Sequence, residues 1–285
     1  MERIDLHTHS SASDGTDTVG ELVDAAAAAD LQVIALTDHD TTIGWAAAAD
    51  AVRRTGVAVV PGIEVSTQYG GHSIHVLALL PDPGPSTPLA AELSRARTDR
   101  VGRARRMVEL IGQDHPISWE DVLDQTAGED TTIGRPHIAD ALVAADVVPD
   151  RSAAFADILA SRGRYYVPHY APPPGAAVRA IVAAGGVPII AHPASGTRGS
   201  ETPLPVLEEM VEAGLAGIEV DHREHDERQR ARLRSFARAH GLLVTGGSDY
   251  HGRGKPNRLG ENLTLPDVLD AVISLSTSTT EVLRA

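Results

Sequence analysis

Residues 3–64 read RIDLHTHSSASDGTDTVGELVDAAAAADLQVIALTDHDTTIGWAAAADAVRRTGVAVVPGIE, and their pattern decides the fold class. Arg3 to His7 reads as a short strand, followed by a polar turn and an Ala-rich amphipathic helix over about Val19 to Ala29. Val33 to Thr37 is a second strand, about Ile43 to Arg54 a second helix, and Val57 to Val60 a third strand that runs on to Glu64. Strands alternating with helices of this length predict parallel pairing and an α/β fold.

Working outward, Gly70-Gly71 reads as a turn between two extended segments, and His72 to Leu80 continues as a strand until Pro81, Pro83, Pro85 and Pro88 break it. From Leu89 to Tyr166 the pattern is nearly all helical, with helices expected at Leu89 to Ile111, Trp119 to Gln125, Pro136 to Ala145 and Ser152 to Ser161. Past Pro172-Pro173-Pro174-Gly175 the alternation resumes: Ala177 to Ala184, Val187 to Ala191, Leu204 to Ala213, Gly217 to Asp221, Asp226 to His240 and Leu242 to Thr245. The expectation is a barrel domain from residues 1–88 and 167–285 carrying a helical insertion subdomain at 89–166. About seven βα-like units predict a barrel short of the usual eight, with its site at the carboxyl ends of the strands. The Ser/Thr-rich end, Leu275 to Ala285, carries no clear pattern.

Composition narrows the chemistry. With 42% hydrophobic and 22% charged residues in 285, the chain has the balance of a self-folding globular protein. It contains no cysteine, so a metal must be held by imidazole and carboxylate. No apolar run approaches the length of a bilayer span, and the N-terminus lacks the features of a signal peptide, so the cytoplasm is the expected location. The formal charge of −14 argues against general duplex nucleic-acid binding. A local exception is the run Arg95, Arg97, Arg100, Arg103, Arg105 and Arg106, opposed within it by Asp99.

The 13 histidines are not scattered evenly. His7 and His9 alternate at the end of the first strand, so both imidazoles point to one side, and Asp5 shares that face. Asp38 and His39 end the second strand, Glu64 the third; His75 lies in the next; His192 follows Val187 to Ala191, and Asp249 and His251 follow Leu242 to Thr245. In a barrel such positions converge on one face. Mixed imidazole and carboxylate ligands suit manganese, zinc or iron(II), and a carboxylate such as Glu64 has two oxygens with which to bridge two cations clamping a phosphoryl group.

The motifs Asp-Leu-His-Thr-His-Ser (residues 5–10), Thr-Asp-His-Asp (37–40), Gly-Ile-Glu-Val-Ser (62–66), Ala-His-Pro (191–193) and Gly-Ser-Asp-Tyr-His-Gly (247–252) resemble those of the polymerase and histidinol phosphatase (PHP) superfamily. The resemblance implies a distorted (βα)7 TIM-like barrel with two or three divalent cations, Mn2+ first, Zn2+ or Fe2+ as alternatives. It implies one cation on His7, His9, Glu64 and Asp249, a second on Glu64, His75 and His192, and a third on Asp14, His39 and His251. Asp14 stands where other members carry a histidine. Gly134-Arg135-Pro136-His137 resembles a segment that contacts substrate phosphate, with Ser66 a further expected substrate contact.

The implied reaction is hydrolysis by a hydroxide shared between cations, with His39, His251 or His137 protonating the leaving group and Arg135 holding phosphoryl oxygens. The nearest branch implies nucleoside 3′,5′-bisphosphates as substrates, giving nucleoside 5′-monophosphate and phosphate, or the 5′ ends of short RNA. Histidinol phosphate is the rival substrate, and a non-catalytic metal-binding interaction module the rival of another class. An amidohydrolase-like reading lacks a lysine placed to become a carbamylated bridge. His72, His115, His169, His222, His225 and His240 match no motif and are read as surface or packing residues, with His222 and His225 closest to the expected site. Lys255 and Arg258, just past the last motif, read as solvated charges, with reach to a second phosphate as the alternative.

Overall fold

The computed structural model of the chain describes residues 2–126, 128, 131–160, 163–195 and 201–285. Seven strands, β1 (Ile4–Thr8), β2 (Val33–Leu36), β3 (Ala58–Tyr69), β4 (His72–Leu79), β5 (Val187–Ala191), β6 (Gly217–Asp221) and β7 (Leu243–Gly246), form one sheet in sequence order. Around and between them run α1 (Val19–Ala28), α2 (Trp45–Thr55), α3 (Pro88–Ile111), α4 (Trp119–Leu123), α5 (Arg135–Ala144), α6 (Arg151–Ala156), α7 (Pro174–Ala183), α8 (Leu204–Glu212), α9 (Glu227–His240) and α10 (Pro266–Leu275).

Every residue of β1, β2 and β5 is buried, as expected of strands covered on both faces. The helices start where the chain supplies caps. Thr18 and Glu21 form a reciprocal capping box at α1, whose Val19, Leu22, Val23 and Ala26 face inward. The sheet curls until β1 meets the segment after β7: the Asp249 amide donates to the His7 carbonyl and the His9 amide to the Tyr250 carbonyl, each at 2.9 Å. The result is the distorted seven-stranded barrel expected from the alternation.

One strand, through two pairings, departs from the expectation of a parallel sheet. β4 runs antiparallel to both β3 and β5, because Gly70 and Gly71, both at positive φ, close a hairpin rather than a crossover. This reversal explains how His75, in the first half of its strand, reaches the same rim as residues at the carboxyl ends of the others. Its Cα partners are Ser66 on β3 and Ala191 on β5.

The patternless C-terminal end is also ordered. Leu283 exchanges backbone hydrogen bonds with Val59, and Thr277 and Ser278 donate to the Gly185 carbonyl. The helix α10 was not anticipated; Pro266 at its first turn and buried Leu269 and Val272 are its sequence signals.

The helices after β4 build a core of their own from Met107, Val108, Ile111, Val122, Ile138, Leu142 and Leu159. α3 belongs to both regions: Leu89 and Leu93 pack with the barrel, while Ala104 to Ile111 pack with the helical cluster. The helix expected at Ser152 to Ser161 is shorter, Arg151–Ala156, and Ser161 lies outside the described residues.

Candidate metal centre

At the carboxyl-end rim, Glu64 is fully buried with imidazoles on both sides of its carboxylate. Oε2 lies 3.3 Å from His7 Nε2 and 3.0 Å from His9 Nε2, and those two nitrogens are 3.1 Å apart. Asp249 Oδ1 completes the group at 3.5 Å from His7 Nε2 and 3.4 Å from His9 Nε2. Ligand atoms held at about 2.1 Å from one cation are separated from each other by about 3.0–3.4 Å. The four atoms therefore stand close to the corners of a coordination polyhedron.

The other oxygen faces a second group. Glu64 Oε1 is 2.6 Å from His75 Nδ1 and 3.0 Å from His192 Nε2. A third group gathers around Asp14, whose Oδ1 is 3.2 Å from His251 Nε2 and whose Oδ2 is 3.8 Å from His39 Nε2. This set is looser than the first, and His9 Nδ1 joins it at 3.9 Å. His39 spans two groups, since its Nδ1 lies 3.3 Å from Glu64 Oε2. All nine residues expected as ligands are thus gathered on one rim.

The donors fit divalent cations. Glu64 Oε2, His9 Nδ1, His39 Nδ1 and His251 Nε2 are buried polar atoms without a hydrogen-bond partner, an arrangement that costs stability unless something else satisfies them. The Glu64 carboxyl is held well below the usual range, burial being outweighed by the imidazoles of His39, His75 and His7 around it. Burial pushes His39 well down, and burial together with Lys255 and His9 pushes His251 to about 4, so both offer lone pairs. Backbone strain marks the same rim: His192 and Asp249 adopt φ of 31° and 53°, rare for residues with side chains.

Residues behind the candidate ligands fix their orientation. Glu219 Oε1 meets His7 Nδ1 at 3.1 Å, and its Oε2 accepts from the His192 amide at 2.7 Å. Gly247 sits against this pair, and a Cβ there would collide with His7 and Glu219. The sequence reading missed Glu219; its signal was a carboxylate inside the apolar strand β6. Asp38 belongs to the support and to none of the three groups. Its carboxylate accepts from the Ser10 amide, the Ser10 hydroxyl and the Ser13 hydroxyl at 2.7–2.8 Å, which shapes the loop leading to Asp14. Asp5 likewise turns away, accepting from the Ser248 and Gly260 amides, and burial raises its carboxyl to about 6.

Two readings of single residues need correction. Lys255 is not simply solvated: Nζ lies 2.8 Å from Asp249 Oδ2. His222, read as packing, is 1% exposed and directs Nε2 toward Asp249 Oδ2 at 3.8 Å, beside the His192 ring. His225 does pack, between the Val220 carbonyl and the Ala194 amide.

Of the expected substrate contacts, His137 is 4% exposed, and its Nδ1 accepts from the Gly134 amide at 3.1 Å. Its neutral ring, favoured because burial lowers the imidazole pKa, therefore carries its proton on Nε2. Ser66 receives a hydrogen bond from Arg100 Nη2 at 2.5 Å. Arg135 donates to the Leu159 carbonyl at 3.1 Å, with its guanidinium over the Phe155 ring. The helical region also reaches the third group: Arg151 forks onto Asp140 at 2.6 and 2.5 Å and donates to the Asp14 carbonyl at 3.1 Å.

Comparison with known proteins agrees with this geometry. The PHP domain model matches residues 5–129. The chain is 36% identical to a 3′,5′-nucleoside bisphosphate phosphatase of Chromobacterium violaceum over 94% of both chains. It is 34% identical to a phosphoribosyl 1,2-cyclic phosphate 1,2-diphosphodiesterase of Eggerthella lenta, over 87% of this chain and 94% of that one. It is 31% identical to the 5′-3′ exoribonuclease Rnm of Salmonella typhimurium, over 94% of this chain and 92% of that one. A crystal structure from Bifidobacterium adolescentis, assigned to the metal-dependent phosphoesterases, superposes with a TM-score of 0.93 at 43% identity, covering 98% of both chains. With its motifs, its barrel and its full-length relatives in agreement, the chain belongs to the PHP domain family.

Proposed function

We propose that the protein is a metal-dependent phosphoesterase that removes the 3′-phosphate of nucleoside 3′,5′-bisphosphates, with the 5′ ends of short RNA as a second substrate. The observation that carries this reading is the carboxylate of Glu64, whose two oxygens face two separate groups of imidazoles. His7, His9, Glu64 and Asp249 would hold one cation, Glu64, His75 and His192 a second, and Asp14, His39 and His251 a third. Mn2+ is the proposed cation, with Zn2+ and Fe2+ suited to the same donors. When bound, the cations supply an activated water nucleophile and withdraw charge from the phosphoryl oxygens.

The remaining work falls to the chain. His137 presents Nε2–H as a donor for a phosphoryl oxygen, since Nδ1 is occupied by the Gly134 amide. Its depressed basicity keeps it a hydrogen-bond donor near neutral pH, which leaves the leaving alkoxide to be protonated by another group. Arg135, at the first turn of α5, offers a planar fork to the same phosphate. Lys255, paired with Asp249, holds a positive charge against the rim. The division into a barrel and an inserted helical cover at 89–166 is part of this reading, with the cover supplying cationic contacts to an acidic barrel.

A substrate panel tests the reading. Protein loaded with Mn2+ is expected to convert adenosine 3′,5′-bisphosphate to AMP and phosphate, and to act more slowly on histidinol phosphate. Turnover of histidinol phosphate alone would favour the rival, and release of phosphate or nucleotide from no ester would leave the site a binding module.

A further inference from the structure

Asp40 lies one residue beyond His39 and is 1% exposed, with its backbone in the left-handed region at φ 53°. Aspartate enters that region when local hydrogen bonds hold it there, and Asp40 makes such bonds in two directions. Toward the barrel, its amide donates to the Glu64 carbonyl at 3.1 Å and its Oδ1 accepts from the Ser66 amide at 2.8 Å. Toward the helical region, its carbonyl accepts from Arg97 Nη1 at 2.6 Å and its Oδ2 lies 3.1 Å from Arg100 Nη2. Arg97 and Arg100 stand three residues apart on α3 and so share a face of the helix. Both guanidiniums are thus committed to one residue of the loop between β2 and α2.

Elsewhere α3 meets this loop loosely. A cleft of about 430 Å3 lies between them, with Thr42, Ser94 and Arg97 among its walls. Where packing is incomplete, the two arginine contacts, one of them an ion pair, seat the helix against the loop. His39 gives that seating a consequence. It pairs with Glu64 in a parallel bridge, its Nδ1 faces Glu64 Oε2 at 3.3 Å, and its Nε2 faces Asp14 Oδ2 at 3.8 Å. That last separation is wider than the about 3.0–3.4 Å that donors to a shared cation keep. Filling the group of Asp14, His39 and His251 must draw His39 inward, and Asp40 follows along the chain with both arginines attached.

We propose that Asp40 is a positioning residue that ties the seating of α3 to the placement of His39, so that a cation at Asp14, His39 and His251 and a tightly seated α3 favour each other. This rests on the metal-dependent reading above and deepens it: Arg97 and Arg100, from the basic run of α3, latch onto the chain's own Asp40. Coupling of this kind is reciprocal, so cutting the latch from the helix side weakens the cation as surely as removing the cation loosens the helix.

Hydrogen exchange across α3 and calorimetric titration with Mn2+, both without substrate, test the coupling. In the wild type, saturating Mn2+ is expected to slow amide exchange over residues 97–104 at least about tenfold. Asp40→Asn keeps an acceptor for the Ser66 amide and tolerates the left-handed backbone, but loses the charge that meets Arg100. Arg97→Met alters the helix side alone, and decides the matter if Asp40→Asn does not fold. In both variants the slowing is expected to fall below about threefold, and the weakest Mn2+ step to weaken at least about fivefold while the tighter steps stay within about twofold. Arg106→Gln, exposed on the same helix, is expected to change neither readout. A latch that merely stabilises α3 would speed exchange equally with and without Mn2+ and leave every Mn2+ step unchanged, and that result overturns the proposal. So does a wild-type α3 whose exchange ignores Mn2+. Coupled binding in an enzyme that hydrolyses no ester would instead overturn the phosphoesterase reading alone.

Discussion

Glu219 Oε1 lies 3.1 Å from Nδ1 of His7, on the ring edge opposite the nitrogen that faces Glu64 and His9. A carboxylate behind a ligating imidazole fixes its tautomer and raises its basicity toward a cation. Here the same carboxylate also holds the His192 amide, so one residue orients candidate ligands of two groups.

Glu219→Ala is therefore expected to weaken cation binding about 10- to 100-fold while the fold is retained. Calorimetric titration of chelator-treated protein with Mn2+ measures this. Unchanged affinity in a folded variant would remove Glu219 from the site.

Arg151 ties the helical region to the third group through its fork onto Asp140 and its bond to the Asp14 carbonyl. Its guanidinium also packs against Gly254, next to the His251 turn. Arg151→Ala should cost about 1–3 kcal/mol of stability, as expected when a partly buried carboxylate loses its charged partner. It should also lower occupancy by the third cation while the other two stay bound. Elemental analysis after gel filtration checks the second point, and loss of all cations together would contradict a local role.

The pH dependence has two opposite parts. Burial alone would depress His9, but the Asp249 and Glu64 carboxylates beside its Nε2 reverse that and raise it from 6.5 to about 9 in the cation-free protein. At pH 7.5 this imidazole is protonated, so a cation must displace its proton, and cation affinity should rise with pH up to about 9. Proton release on adding Mn2+ in weak buffer is the readout. In chelated protein the sign inverts: the stability that comes from protonated His9 is full below 6.5 and lost as pH rises through about 9, so the melting temperature should fall across that range.

Much of this site was legible because it obeys local rules. His7 and His9 alternate on a short strand, Glu64 and Asp249 stand at strand ends, and a barrel brings such positions together. What escaped the sequence depends on long-range packing. Glu219 occupies an ordinary strand position 212 residues from His7 and gains meaning only when β6 passes behind β1. The direction of β4 was hidden for a different reason: paired glycines permit a hairpin, but periodicity is the same for either strand direction.

Glu64 faces two groups of imidazoles at once, and on the proposed function this is what makes the site hydrolytic. The most direct test is phosphate release from adenosine 3′,5′-bisphosphate by Mn2+-loaded wild type and by Glu64→Ala, with cation content measured on the same samples. Turnover is expected from the wild type and, in the variant, at least about a thousandfold loss together with depletion of the two cations that Glu64 would join. Activity within tenfold of wild type in Glu64→Ala, or an inert wild type that retains its full complement of cations, would contradict it.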